Sequence, residues 1–363
     1  MMKRTKWILT IGLVLFAAYP FTNTKAQLKN LGAFMAAGKS DAEKLFEAYL
    51  SPYLNAFGAS MTGGWYNTAK PHKLGGVDLT ITFNTAIVPK DSRTFDIDAL
   101  GLQSLQRDPA ANNLSPTVAG KRNNGSQMDY MLSSNGFSFT GPAFKLPQGT
   151  GFPYIPTPMA QAGVGLFKGT EIIGRWVPTF NLGQGSIGLW GIGLKHNIDQ
   201  WIPGLKKVPV LNISVLGGYT KLNGKVGFTV RPGDIGLTSS LPDNTWNGQN
   251  LQLTTTSFTA DLLVSANLPV VCFFGGFGFA RTKTNLKLNG NFPVAGINTS
   301  TGQPEVNSLK DPIDFQVKNQ DGGLTKPRVD LGMRIKLGVL TIHFDYTRAN
   351  YNVATAGIGL SFR

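Results

Sequence analysis

The sequence predicts an all-β protein, a transmembrane antiparallel β-barrel of about 12–14 strands with a short helical N-terminal plug. Three observations carry this. Long segments alternate apolar and polar residues with period two. After the first 26 residues no run of 18 apolar residues occurs, so no helix of membrane-spanning length is expected. Composition is unusual: charged residues are 15% of 363, against about 25% in soluble domains, and 44 residues are Gly, against an average of about 7%. Aromatics reach 10%, too many for a disordered chain. A single Cys and three His exclude a disulfide framework and make thiolate or His-rich metal sites improbable.

Residues 1–26 read as a cleaved signal peptide. Lys3, Arg4 and Lys6 precede an apolar core from Trp7 to Tyr19, too short to span a bilayer, and Thr24-Lys25-Ala26 offers a cleavage site. No Cys follows the core, which excludes lipoprotein processing. The expected destination is the outer membrane. Removing the segment takes four bases and leaves 30 bases against 20 acids, net +10. These bases are scattered. With no basic block or nucleic-acid motif, the better partner is outer-membrane lipid or lipopolysaccharide, with the barrel-assembly machinery as the other expected partner.

Residues 27–74 do not alternate and form a separate N-terminal segment ahead of a barrel at 75–363. Ser40-Asp41-Ala42-Glu43 has capping-box spacing. Leu45, Phe46, Tyr49 and Leu50 follow at helical spacing, and Pro52 is expected to limit or bend the helix. The helix either lies against the membrane or folds into the lumen with the residues after it. Trp65, Tyr66, Lys70 and His72 are the candidate plug residues.

Clear strands follow at Val77–Asn84, Leu211–Thr220, Phe258–Ala266, Arg328–Lys336, Val339–Thr347 and the C-terminal run to Phe362. Further candidates are 93–100, 137–144, 162–168, 170–178, 186–195, 225–231 and 270–284. Long Gly/Pro/Asn-rich loops are expected at 101–136, 145–160, 232–249 and 286–325, and a tight turn at Gly338. Short turns on one side and long loops on the other is the barrel asymmetry. A soluble sandwich also alternates. Trp176, Trp190, Trp201, Tyr219, Tyr346 and Phe362, taken as strand-end residues, favour the membrane instead, as interfacial girdles do.

By alternation, Glu171, Arg175, Asp261, Arg328, Asp330, Arg334, Lys336, His343 and Asp345 face the lumen. Their mixed signs suggest a cross-linked interior. Arg328, Asp330, Arg334, Lys336, His343 and Asp345 are the candidates for a ligand path. Val270–Ala280 is apolar on both faces, so one face meets lipid and the other meets the plug or a hydrophobic ligand. Phe273 and Phe277 are placed on that path. His343 and Asp345 could pair, but no Ser motif points to them, so no enzyme is expected. The Gly-rich runs precede no helix and lack a P-loop ending, so no cofactor is expected.

The run Asp41-Ala42-Glu43-Lys44-Leu45-Phe46, then Gly64-Trp65-Tyr66-Asn67-Thr68-Ala69-Lys70-Pro71-His72-Lys73, Lys168-Gly169-Thr170-Glu171, Lys195 to Pro203 and Gly217-Gly218-Tyr219 resembles an uncharacterised family of Bacteroidota outer-membrane barrels. More distantly the chain is similar to the long-chain fatty-acid and hydrophobic-compound transporters of the outer membrane. That resemblance implies a barrel plugged by its N-terminus, and passive uptake of a small hydrophobic molecule such as a fatty acid or aromatic compound. The alternative is a non-transporting envelope barrel with a structural, adhesive or partner-binding role.

Overall fold

The computed structural model describes residues 34, 38–134, 137–140, 143–205, 208, 210–235, 238–297, 304–317 and 325–362. The proposed signal peptide, 1–26, lies outside the described residues. Ten antiparallel strands close on themselves: β1 Val77–Ile87, β2 Tyr154–Gly165, β3 Thr170–Leu182, β4 Gly185–Asn197, β5 Leu211–Gly227, β6 Asn250–Asn267, β7 Val271–Asn289, β8 Thr325–Leu337, β9 Leu340–Arg348 and β10 Asn352–Phe362. Each pairs with its sequence neighbour. Closure comes from β10 against β1, from Val77↔Phe362 to Ile87↔Asn352, which removes the open edges a sheet would otherwise present.

The barrel has ten strands where about 12–14 were expected. The expectation allotted about ten residues per strand, but β5, β6 and β7 run 17, 18 and 19 residues. The candidates at 93–100 and 137–144 do not join the barrel; they belong to short strands and a turn of 3-10 helix in the connection after β1. Two expected loops are partly strand. In 145–160, β2 begins at Tyr154, and its Pro156 and Pro158 lie above the stretch Ala160–Gly165 where β3 pairs, so their missing N–H groups break no ladder on that side. In 286–325, β7 continues to Asn289, Asn291–Ile297 pairs with Pro304–Lys310, and Ile313–Val317 extends the sheet along the upper end of β7.

Burial alternates along most of the clear strands. In β10, Thr355, Gly357, Gly359 and Ser361 point in, while Ile358, Leu360 and Phe362 are exposed. The outer wall therefore carries Leu79, Ile192, Leu194, Val215, Leu262, Val264, Val329, Leu331 and Phe344 in a continuous apolar belt. On β6 the belt runs from Phe258 to Ala266. At about 3.3 Å per residue and a tilt of about 40°, that is about 20 Å of height, close to the ~25 Å band of membrane barrels. Above Phe258 the outward residues of β6 are Thr256, Thr254 and Gln252. Trp176, Trp190 and Tyr219 thus sit mid-strand, not at strand ends as expected, because β3 to β5 continue past the belt. They still mark its upper boundary.

The two mouths differ. One carries the links 166–169, 198–210, 268–270 and 338–339, with Gly338 at φ 63 in the tightest of them. The other carries 88–153, 228–249 and 290–324. Among the described residues no helix is long and apolar enough to cross a membrane.

The N-terminal helix, α1 Lys39–Ser60, lies inside the barrel. It runs through Pro52 instead of ending there. A Pro inside a helix costs about 3 kcal/mol; burial of Leu45, Phe46, Tyr49 and Ala56 against the wall and the described residues of the long connections offsets it. The capping box does not form. Gly38 is the N-cap and makes no side-chain cap. The Asp41 carboxylate instead accepts from the Gln103 and Ser104 amides at 2.6–3.0 Å, tying the helix start to the long-loop mouth.

Candidate functional site in the barrel lumen

The last carbonyls of a helix have no partner within it, and its C-terminus carries partial negative charge. Here the barrel wall supplies the donors. Asn84 on β1 donates to the carbonyls of Ser60 at 3.0 Å and Gly63 at 3.1 Å. Arg175 on β3 donates to Met61 at 3.1 Å and Gly63 at 2.7 Å. Arg328 on β8 donates to Thr62 at 2.6 Å. Three strands therefore hold one helix end, and both cations are almost fully buried.

Below this collar the chain runs down the lumen as an extended segment. Trp65 lies against β4 and β5 where both walls are glycine: a Cβ on Gly193 would stand 2.7 Å, and on Gly218 2.5 Å, from its ring. The Arg175 guanidinium covers the ring from the other side, 3.6 Å from the centroid, a contact worth about 2 kcal/mol when desolvated. The Tyr66 hydroxyl donates to Asp330, and its ring meets Phe274 edge-on at 6.0 Å. Arg328 pairs with Asp261 at 3.5 Å and Asp330 at 3.9 Å. Arg334 donates to Asn67 at 3.1 Å.

At the short-turn mouth, Glu171 on β3 is the anchor. It accepts from the His72 amide and sits 2.9 Å from His72 Nδ1, with Lys195 Nζ at 3.2 Å. His72 Nε2 reaches Ser361 Oγ at 3.0 Å. Lys70 is exposed at the same mouth. The segment thus threads the barrel from the long-loop mouth to the short-turn mouth before entering β1.

The structure places the sequence candidates as follows. Trp65, Tyr66 and His72 are inside the barrel, in contact with wall charges. Arg328, Asp330 and Arg334 face inward and bind the plug; Lys336 also faces inward, with Nζ 3.4 Å from Ser361 Oγ. His343 and Asp345 lie on the inner face of β9. Neither His343 nitrogen has a hydrogen-bond partner, so the His–Asp pairing considered from sequence does not form. Phe273 and Phe277 are corrected: they are 53% and 55% exposed on the outer wall. The inward residues of that strand are Cys272 and Phe274, which pack with Trp65 and Tyr66. The doubly apolar strand is explained by its plug contact. Alternation alone could not tell which of its two apolar faces is the inner one.

Two features escaped sequence reasoning. One is the glycine seat of Trp65, whose signal was the pair of facing glycine-rich strands. The other is a run of buried, unpartnered hydroxyls, Thr82 on β1 and Thr341 and Thr347 on β9, beside His343. Among the described residues no group of three or more metal-ligating side chains occurs.

A family of unknown function, DUF6588, matches residues 2–362. The chain belongs to this family. No curated protein matches it. Among solved structures, the DUF6588 chain is similar to the translocator domain of the autotransporter NalP from Neisseria meningitidis, at 10% identity, covering 87% of this chain and 96% of that one with a TM-score of 0.30. It is also similar to Ail, the attachment invasion locus protein of Yersinia pestis, at 8% identity, 80% and 98% coverage and a TM-score of 0.24. A third is a deletion mutant of the TodX monoaromatic hydrocarbon channel, at 11% identity, 80% and 68% coverage and a TM-score of 0.24.

Proposed function

We propose that this DUF6588 protein is an outer-membrane barrel that admits a small molecule past its own N-terminal segment, which acts as the gate. The observation that carries the reading is how the segment is held. Its extended part is fixed by polar contacts from seven strands, through Gln161, Glu171, Lys195, Ser214, Ser265, Asp330 and Ser361, beside the apolar packing of Trp65 and Tyr66. Breaking one charge pair of such a set removes about 3–5 kcal/mol, enough to shift a closed state toward an open one.

The chemistry of the passenger follows from the wall beside the segment. The hydrophobic compound expected from family resemblance loses its internal support, since Cys272 and Phe274 are covered by Trp65 and Tyr66. The inner face of β1 and β9 instead carries buried, unpaired hydroxyls and the unpaired His343 ring. An unsatisfied buried polar group costs about 1–3 kcal/mol, so these groups favour a small polar solute over a fatty acid.

The test is single-channel conductance and solute uptake in proteoliposomes. The wild type is compared with His72→Ala/Glu171→Gln/Lys195→Met, which dissolves the lower anchor without leaving a lone buried charge. The expected result is a closed wild type with brief openings and a variant open for a much larger fraction of time, passing small sugars or amino acids before fatty acids. Two folded barrels that pass nothing overturn the gate. That outcome favours the second reading, a non-transporting envelope barrel. The observation on its side is the lid that the described residues of 88–153 and 290–317 form over the helix start, a platform for a partner at the cell surface.

A further inference from the structure

The outer wall just above the apolar belt has a feature the lumen does not explain. β4 and β3 lose register between Ile187 and Leu189, and the irregularity opens a groove of about 340 Å³ on the outside of the barrel. Its rim carries Trp176, Trp190, Asn223, Lys225, Gln252 and Thr254. Two tryptophans thus form one side and polar groups with a lysine the other.

The strand register extends this site into a cationic surface. Trp190 stands opposite Lys221, Lys221 opposite Thr256, and Thr256 opposite Lys283. One row lower, Tyr219 faces Phe258, which faces Arg281. Lys221 and Lys283 are two strand spacings apart, about 10 Å. Arg281 and Lys283 are two residues apart on one strand, about 7 Å. The outward positions of β5 to β7 in this stretch are Lys, Asn, Thr, Gln and Arg, with no acid. Lys287, higher on β7, pairs with Asp314 at 2.7 Å. Lys221, Lys225, Arg281 and Lys283 make no ion pair with a described residue.

Four cations gathered on one wall repel each other unless an anion lies among them. Their depth decides which anion. Tyr219 and Phe258 top the apolar belt, with Arg281 in their row and Lys221, Lys283 and Lys225 above it, so in a membrane the four cations stand at headgroup level. They are on the long-loop side, which in barrels of this kind is the outer leaflet. We propose that this wall of β4 to β7 binds the phosphorylated headgroup of an outer-leaflet glycolipid. Lys221, Lys225, Arg281 and Lys283 take the phosphates, and Trp176 and Trp190 lie against the sugar and the start of the acyl chains. The inference rests on the membrane-barrel reading and not on transport.

The experiment uses the full chain purified in a nonionic detergent. Diphosphoryl lipid A, lipid A with its phosphates removed, and inorganic phosphate are titrated separately. Binding is followed by native mass spectrometry and tryptophan fluorescence. The test variant is Lys221→Gln/Lys225→Gln/Arg281→Gln/Lys283→Gln, with Lys221→Gln/Lys283→Gln as the milder form in case the fourfold change impairs folding. The control is Lys90→Gln/Lys121→Gln/Lys310→Gln on the long-loop lid. Heat-modified gel mobility reports separately whether each protein is a folded barrel. Loss of that signature in the wild type would defeat the membrane reading itself.

The expected result is that the wild type and control hold diphosphoryl lipid A, and the test variant binds it at least about tenfold more weakly. The dephosphorylated lipid should bind weakly to all. Equal retention by the test variant overturns the site, as does equal binding of the dephosphorylated lipid. Saturation of the fluorescence change by inorganic phosphate alone would make it a free-anion site and overturn the lipid assignment.

Discussion

Trp65 shows how a single residue organises the lumen. Its ring occupies the space that side chains on Gly193 and Gly218 would fill, and Arg175 closes the third side. A Gly218→Val substitution places carbon where the ring now is. Overpacking of this kind costs about 1–3 kcal/mol, and the ring has no free wall to move to. The expected outcome is a lower thermal midpoint for the folded barrel and faster protease cleavage within 61–73. Adding Trp65→Ala to Gly218→Val should cost less than the sum of the two single changes, because both act on one contact. Additive losses would show that Gly218 is not the seat of the ring. Of these residues, Trp65 and Arg175 were legible in the sequence, Arg175 through alternation and Trp65 through its family-like run. That they touch was not, because 110 positions separate them and no periodic signal links a plug residue to a wall residue.

At the scale of the element, α1 illustrates tertiary override. Pro52 argued for a stop, and the helix continues through it to Ser60. The competing term is confinement. A backbone inside a narrow lumen must pair its own polar groups, and a helix satisfies nearly all of them. Its end is then tied to β2 by Ser60 Oγ and Thr157 Oγ1, 2.5 Å apart. A Ser60→Cys/Thr157→Cys pair, made with Cys272→Ala so that no other thiol competes, is expected to cross-link on oxidation. The oxidised protein should show no channel openings, and reduction should restore them. Unchanged conductance in a fully cross-linked sample would show that the helix does not move when the barrel opens. The strands were read more securely than the helix. β1, β8, β9 and β10 fall where alternation put them, whereas the double apolar run of β7 was assigned the wrong inner face. Both of its faces are apolar, so periodicity carries no information there.

For the whole molecule, the division between outer and inner wall governs stability. Leu262 lies at the middle of the outer belt on β6, and Thr254 lies on the same outer face above it. Leu262→Arg is expected to cost about 2–4 kcal/mol in folding into bilayer vesicles, and Thr254→Arg about 0–1, by the depth dependence of charges on a barrel's lipid face. Urea titration of vesicle-inserted protein measures both. Equal costs would mean that the belt does not face lipid. By itself the sequence determined the alternating strands, the polar lumen face, the separate N-terminal segment and the apolar belt. Each of these is written in residues two positions apart, or in a change of local pattern. Only the tertiary structure decided that ten strands close the barrel, that the N-terminal segment runs through it from mouth to mouth, and that Phe273 and Phe277 face outward. Strand number depends on how far each strand extends past the membrane, and the path of the plug on contacts between distant positions. Neither leaves a period in the chain.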